Sequence, residues 1–200
     1  MLLQSMARAG LIFGSIATAL TPLPERMASR RAASIVEVRV TAADGRKLVE
    51  EALAQGDNRM LVLTLQPGAS AFQVEGARVV LLATAQSGPL TCPVRISGVP
   101  AIQANRLALA TPDISTSGMF CERALDLLRQ KSLDALATHP WDLARRLAIA
   151  SLDPSQPGPR LPVAGCVLPE QLNLKSVRAQ SSFLAVTVEI LPPDPGTGCR

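Results

Sequence analysis

Alternation of apolar and polar positions sets the first boundaries along this chain. In "SIVEVRV" Val36, Val38 and Val40 alternate with Glu37 and Arg39, the period-two signature of a strand with one buried face. Thr41 then precedes Ala42, Ala43 and Asp44 in a capping-box-like start. Leu48, Val49, Ala52 and Leu53 continue as a helical apolar stripe that stops before Gly56. "RMLVLTL", residues 59–65, predicts the next strand, closed by a Pro67–Gly68 turn.

The centre of the chain reads as hairpins. "SAFQVEG" and "ARVVLLATA" predict one around Glu75–Gly76, and "LTCPVRI" with "IQANRLALAT" predicts another around Ser97–Gly98–Val99–Pro100. Val79, Leu81 and Ala83 point one way while Val80, Leu82 and Thr84 point the other, so burial on both faces is expected.

Helical periodicity returns in "MFCERALDLLRQ", with Phe120, Ala124, Leu127 and Leu128 on one stripe and Glu122, Arg123, Asp126 and Arg129 away from it. Ser132 restarts a short helix. "HPWDLARRLAIASL" then places Pro140 at a first helical position and Asp142 in the first turn. After a proline-rich loop, "QLNLKSVRAQSSFLAVTVEI" predicts a closing hairpin in which Leu184, Val186, Val188 and Ile190 alternate against Ala185, Thr187 and Glu189. The pattern as a whole predicts an α+β fold: a twisted antiparallel sheet of hairpins packed on two or three amphipathic helices. Residues 1–33 form a leader, 34–191 the single domain and 192–200 a Pro/Gly-rich tail.

Composition changes the picture in one respect. Of 200 residues 48% are hydrophobic but only 2% aromatic, with four Phe, one Trp and no Tyr, so the core has to be aliphatic. The net charge of +4 is modest and forms no long run, and the patch Arg26, Arg30 and Arg31 has no aromatic residue interleaved to stack bases. That pattern argues against nucleic acid and leaves an anionic membrane surface as a contact for the patch. The leader carries Arg8, an apolar run from Ala9 to Leu20 and a small-x-small Ala17–Thr18–Ala19, the ingredients of an export signal. The expected location is therefore the periplasm or cell envelope, or the cytoplasm if the leader is not a signal.

Cys92, Cys121, Cys166 and Cys199 are widely spaced, without a CxxC, and His139 is the single histidine, so no metal site is expected. An even set of scattered cysteines fits two disulfides in an oxidising compartment. Four cysteines allow three pairings, of which Cys92–Cys121 with Cys166–Cys199 joins adjacent elements.

Chemistry is otherwise sparse. There is no G-x-S-x-G, no P-loop and no cluster of glycines to cradle phosphate. His139 stands directly before Pro140 at a helix start, where capping or packing suits it better than proton transfer. Asp113, Asp126, Asp134 and Asp142 are spread over loop and helix surfaces, and Trp141 reads as a core anchor. The chain is expected to be no enzyme and to need no cofactor.

"VRVTAADGRKLVEEAL" resembles the strand and helix that open the second half of the LmeA-like phospholipid-binding family of bacterial envelope proteins. "ISGVPAIQANRLALAT" is similar to that family's hairpin, and "LPEQLNLKSVRAQSSFLAVTVEI" to its closing hairpin. Together these stretches cover roughly Ile35 to Ile190. The resemblance implies a long curved sheet around a helix, like the tubular lipid-binding folds, with phospholipid in an apolar groove and no catalytic motif. Four cysteines depart from the family pattern.

A groove of this kind would hold acyl chains by burial alone, at about 0.8 kcal/mol per CH₂. Its candidate wall residues are Leu107 and Leu109 on a hairpin, Leu125 and Leu128 on a helix, and Leu184, Val186, Val188 and Ile190 on the last strand. The expected function is non-catalytic binding of a phospholipid or other apolar ligand. The alternative is an envelope scaffold that docks a protein partner through a sheet edge or the basic N-terminal segment.

Overall fold

Thr41 ends a strand and caps a helix within one residue. In the computed structural model, which describes residues 33–54, 62–124, 126–127, 129–130, 132, 141–163 and 165–193, β1 (Ser34–Thr41) runs straight into α1 (Ala42–Ala54). The Thr41 hydroxyl donates to Asp44 Oδ2 at 2.7 Å, and the Asp44 amide donates back to Thr41 Oγ1 at 3.3 Å. This is the capping box expected from the sequence, with Asp in place of Glu. α1 buries Leu48, Val49 and Ala52, and Gly45 lets it approach the ring of Phe72, where an added Cβ would lie 2.6 Å from Cε1.

The remaining strands are β2 (Val62–Leu65), β3 (Phe72–Glu75), β4 (Arg78–Ser87), β5 (Leu90–Gln103), β6 (Arg106–Thr116), β7 (Leu172–Gln180) and β8 (Phe183–Ile190). The helices α2 (Met119–Arg123) and α3 (Leu143–Leu152) lie between β6 and β7 in sequence. The fold is α+β, as the apolar pattern predicts, but its hairpins divide into two antiparallel sheets. One has the order β1-β8-β7. The other has the order β2-β4-β5-β6, with β3 also paired to β4. β2 and β3 share one edge of β4 end to end, opposite residues 83–86 and 78–81 respectively. Neither sheet closes into a barrel among the described residues.

The core forms between elements that each turn an aliphatic face inward. Val38 and Val40 of β1, Leu184, Val186 and Val188 of β8, Val79, Leu81 and Ala83 of β4, and Leu143 and Leu147 of α3 all join one buried cluster. Phe72 and Trp141 supply its aromatic contact, with ring centroids 6.1 Å apart. Trp141 is thus the core anchor the sequence suggests, and its backbone pairs with Leu107 in both directions, at 3.0 and 3.1 Å.

Several local expectations change. The turn of the second central hairpin is Ala104–Asn105, both at positive φ, so β5 runs unbroken through Ser97–Gly98–Val99–Pro100. Gly98 faces a bulge at Thr111–Pro112 of β6, and an added Cβ there would come within 2.9 Å of Leu109 Cβ; the glycine serves a close strand approach, not a turn. Burial along β4 is strongest on one face. Val80 is also buried, while Leu82 and Thr84 are half-buried. The stripe of the 119–130 region shifts as well: Phe120 is 72% exposed and Leu127 51%, because a disulfide fixes Cys121, a neighbouring position about 100° away, against β5. α3 begins at Leu143 instead of the Pro140 expected, with Asp142 as its cap accepting the Arg145 amide at 3.0 Å.

Candidate functional site

Among the described residues the two sheets have four edges, and three of them are blocked. β2 and β3 are four residues each and are separated by a 3₁₀ turn at Ala69–Ala71. β6 is sealed at Leu107 by Trp141 and kinked at Thr111–Pro112, where Thr111 has φ 44°. β7 carries a bulge at Lys175, and its outer edge is occupied by the Asn105 side chain, which donates to the Leu172 carbonyl and accepts from the Leu174 amide, both at 2.7 Å. Short length, prolines, bulges and covering groups are the usual means of preventing edge pairing.

β1 has none of these before Thr41, whose amide is already taken by Asp44 Oδ2 at 3.1 Å. It pairs with β8 in unbroken register from Ser34↔Ile190 to Thr41↔Phe183, and no described strand lies along its other edge. Its inward side chains, Val38 and Val40, are buried, which fixes the strand to the core. Its outward side chains are Ile35, Glu37, Arg39 and Thr41, of which Ile35 is 69% exposed and Arg39 and Thr41 are exposed. Arg39 lies over the Phe183 ring, 5.1 Å from its centroid, a cation–π contact that holds the guanidinium on the outer face. Glu37, one pleat away, makes no hydrogen bond or ion pair with any described residue.

Several other polar groups of this outer face are paired with one another. Ser176 donates to Thr187 at 3.0 Å, and Glu189 accepts from Lys175 Nζ at 2.7 Å and from Asn173 Nδ2 at 3.2 Å. The Lys175 hydrogen bond, reinforced by that of Asn173, holds the Glu189 carboxyl below the usual carboxylate range despite an opposing effect of burial.

The sequence-derived wall residues lie elsewhere. Leu184, Val186 and Val188 are fully buried, Leu107 is 1% exposed, and Leu109 and Ile190 are half-buried. Each fully buried aliphatic side chain contributes about 1.5–3 kcal/mol to the core itself. Leu125 and Leu128 lie outside the described residues, as do His139, Asp134, the leader up to residue 32 and the tail from residue 194. The structure brings Leu184, Val186 and Val188 together on one face of β8 and places Leu107 on the other sheet, where it meets Trp141. A cleft of about 210 Å³ between α1 and α3 is lined by Leu48, Glu51, Asp142, Arg145, Arg146 and Ile149, and Arg146 is paired there with Glu51 at 3.0 Å. A shallower hollow of about 280 Å³ lies over Leu82, Pro93, Arg95 and Ser115. None of the described wall residues lines either space.

Cys92 and Cys121 form a disulfide that ties α2 to β5. Cys166 is not a free thiol, and Cys199 lies outside the described residues. Among the described residues no three His, Cys, Asp or Glu side chains gather in a metal-ligating group, and no helix is long and apolar enough to cross a membrane. Comparisons with protein-family models, with curated proteins and with solved structures find no match.

The β1 strand, though not its place at an edge, was within reach of the sequence. Alternation in "SIVEVRV" locates the strand, but which strand lies at an edge depends on pairing across the whole chain. The signal that could have marked it is the absence of proline, glycine and bulge signals from eight consecutive strand residues.

Proposed function

We propose that this chain is a non-catalytic interaction domain of an oxidising compartment such as the bacterial cell envelope, and that it docks a protein partner by strand addition along β1. The observation that carries this reading is the contrast among edges: β1 pairs with β8 in unbroken register over eight residues and, among the described residues, carries no blocking feature before Thr41, whereas the other three edges are shortened, bulged or covered. Strand addition uses the backbone for affinity and alternate side chains for specificity, and Ile35, Glu37, Arg39 and Thr41 are the side chains such a partner would read. The Cys92–Cys121 disulfide supports the compartment. Of the aliphatic residues expected to form a lipid wall, Leu107, Leu184, Val186 and Val188 are engaged in the core, which favours a partner at an edge over an acyl chain in a groove.

The test is site-specific photo-crosslinking in the full chain. A photoreactive residue at Glu37 should join to an extended polypeptide segment, while one at Arg178, on the opposite strand of the same sheet, should not. Equal labelling from both positions, or a lipid-sized mass that natively purified protein loses on unfolding, would overturn the reading.

A further inference from the structure

The outward side chains of β1 have a symmetry of their own. Glu37 and Arg39 lie one residue either side of Val38 and point to the same face. Set two such strands antiparallel about a two-fold axis through Val38, and Glu37 of each copy stands directly opposite Arg39 of the other. Ile35 then faces Thr41, and on the inner face Val36 faces Val40. We propose that the strand received by β1 is β1 of a second copy of this chain, giving a continuous six-stranded sheet across a two-fold axis, twice the three strands of one copy. This inference rests on the strand-addition reading and names its partner.

Charge selects both the partner and the register. Directly opposed charges of unlike sign stabilise a pair of strands and like charges destabilise it. Shifting the axis by one residue to Glu37 sets the two Glu37 carboxylates against each other, and shifting it to Arg39 does the same for the two guanidinium groups. The register through Val38 alone makes both contacts attractive. It also gives Glu37 a partner that no described residue of its own chain supplies. Arg39 is held in place for that role by the Phe183 ring. A two-fold pairing is self-limiting, because each copy spends on the other the one edge left open among the described residues.

Sedimentation velocity of the full-length chain over a concentration series tests this directly. The unmodified chain should form dimers. Glu37→Arg sets four like charges along the axis and should weaken the dimer by about tenfold or more. Glu37→Arg combined with Arg39→Glu restores opposite charges in the same register and should recover it. Added salt should weaken the unmodified dimer, a readout that needs no variant. A chain that stays monomeric throughout, a dimer indifferent to Glu37→Arg, or a double variant that fails to recover would each overturn self-pairing. Monomeric protein whose position 37 still crosslinks to a different polypeptide overturns self-pairing alone. Monomeric protein without such crosslinks overturns the strand-addition reading as well.

Discussion

The side-chain amide of Asn105 stands in for a strand beside Leu174. It accepts the Leu174 amide and donates to the Leu172 carbonyl, each at 2.7 Å, so the tip of the β5–β6 hairpin is stitched to the edge of the other sheet by one residue. Asn105 also holds φ 61°, a conformation Asn tolerates better than most residues. Asn105→Ala should therefore cost about 2–3 kcal/mol, the sum of two hydrogen bonds and a left-handed backbone penalty. Asn105→Gly keeps the backbone and loses the amide, and should cost about 1–2 kcal/mol. Urea denaturation separates the two, and equal losses would remove the backbone part of the argument.

The disulfide joins Cys92 and Cys121, positions 29 residues apart in sequence. On the chain-entropy account a crosslink of that span stabilises by about 3–4 kcal/mol. Replacing both cysteines with alanine should lower the urea midpoint accordingly, with α2 the first element to lose hydrogen-exchange protection. Uniform loss across the domain would mean that the crosslink supports the whole sheet, not α2 in particular.

Gly45 occupies a helix interior, where alanine ordinarily gains about 1 kcal/mol. Here the added methyl would overlap the Phe72 ring, which is fully buried. Gly45→Ala is expected to destabilise by about 1–3 kcal/mol, since overpacking outweighs propensity. Phe72→Leu should cost less in the Gly45→Ala background than in the unmodified chain, and a double-mutant cycle with no coupling would contradict the contact.

Glu189 owes its lowered pKa first to Lys175. A carboxylate whose folded pKa is depressed adds stability above its unfolded value and loses it as pH falls through the folded one. Lys175→Met should raise the Glu189 midpoint towards the ordinary carboxylate range, lower stability above that range and shrink the part of the loss on acidification that Glu189 supplies. Carbon-13 NMR of the Glu189 carboxyl measures this, and an unchanged midpoint would assign the shift to Asn173.

Local signals in the sequence were legible where one residue does one job. Thr41 and Asp44 mark the β1–α1 junction because capping needs only a few residues of context, and the closing hairpin is visible because one face of β8 is wholly apolar. Gly98 misled because glycine serves turns and close strand approaches alike, whereas the turn itself uses Ala104–Asn105 without a glycine. The phase of α2 was hidden by a covalent bond: apolar periodicity favours burying Phe120, and the crosslink at Cys121 turns it out. The β1 edge needs the pairing of Ser34 with Ile190, which no window of sequence contains.

That pairing has a consequence in time. β1 is the first described strand and β8 the last, so the earliest strand to leave a ribosome waits for almost the whole chain before its neighbour exists. At about 5–20 residues per second the delay is roughly 7–30 s. Throughout it the aliphatic face of β1 lacks the β8 side chains that flank it in the sheet, and closure of so long a loop is slow. The young chain is therefore most exposed to misassembly at its N-terminal strand, and a holdase that grips "SIVEVRV" during synthesis would protect the fold more than one acting on any later segment.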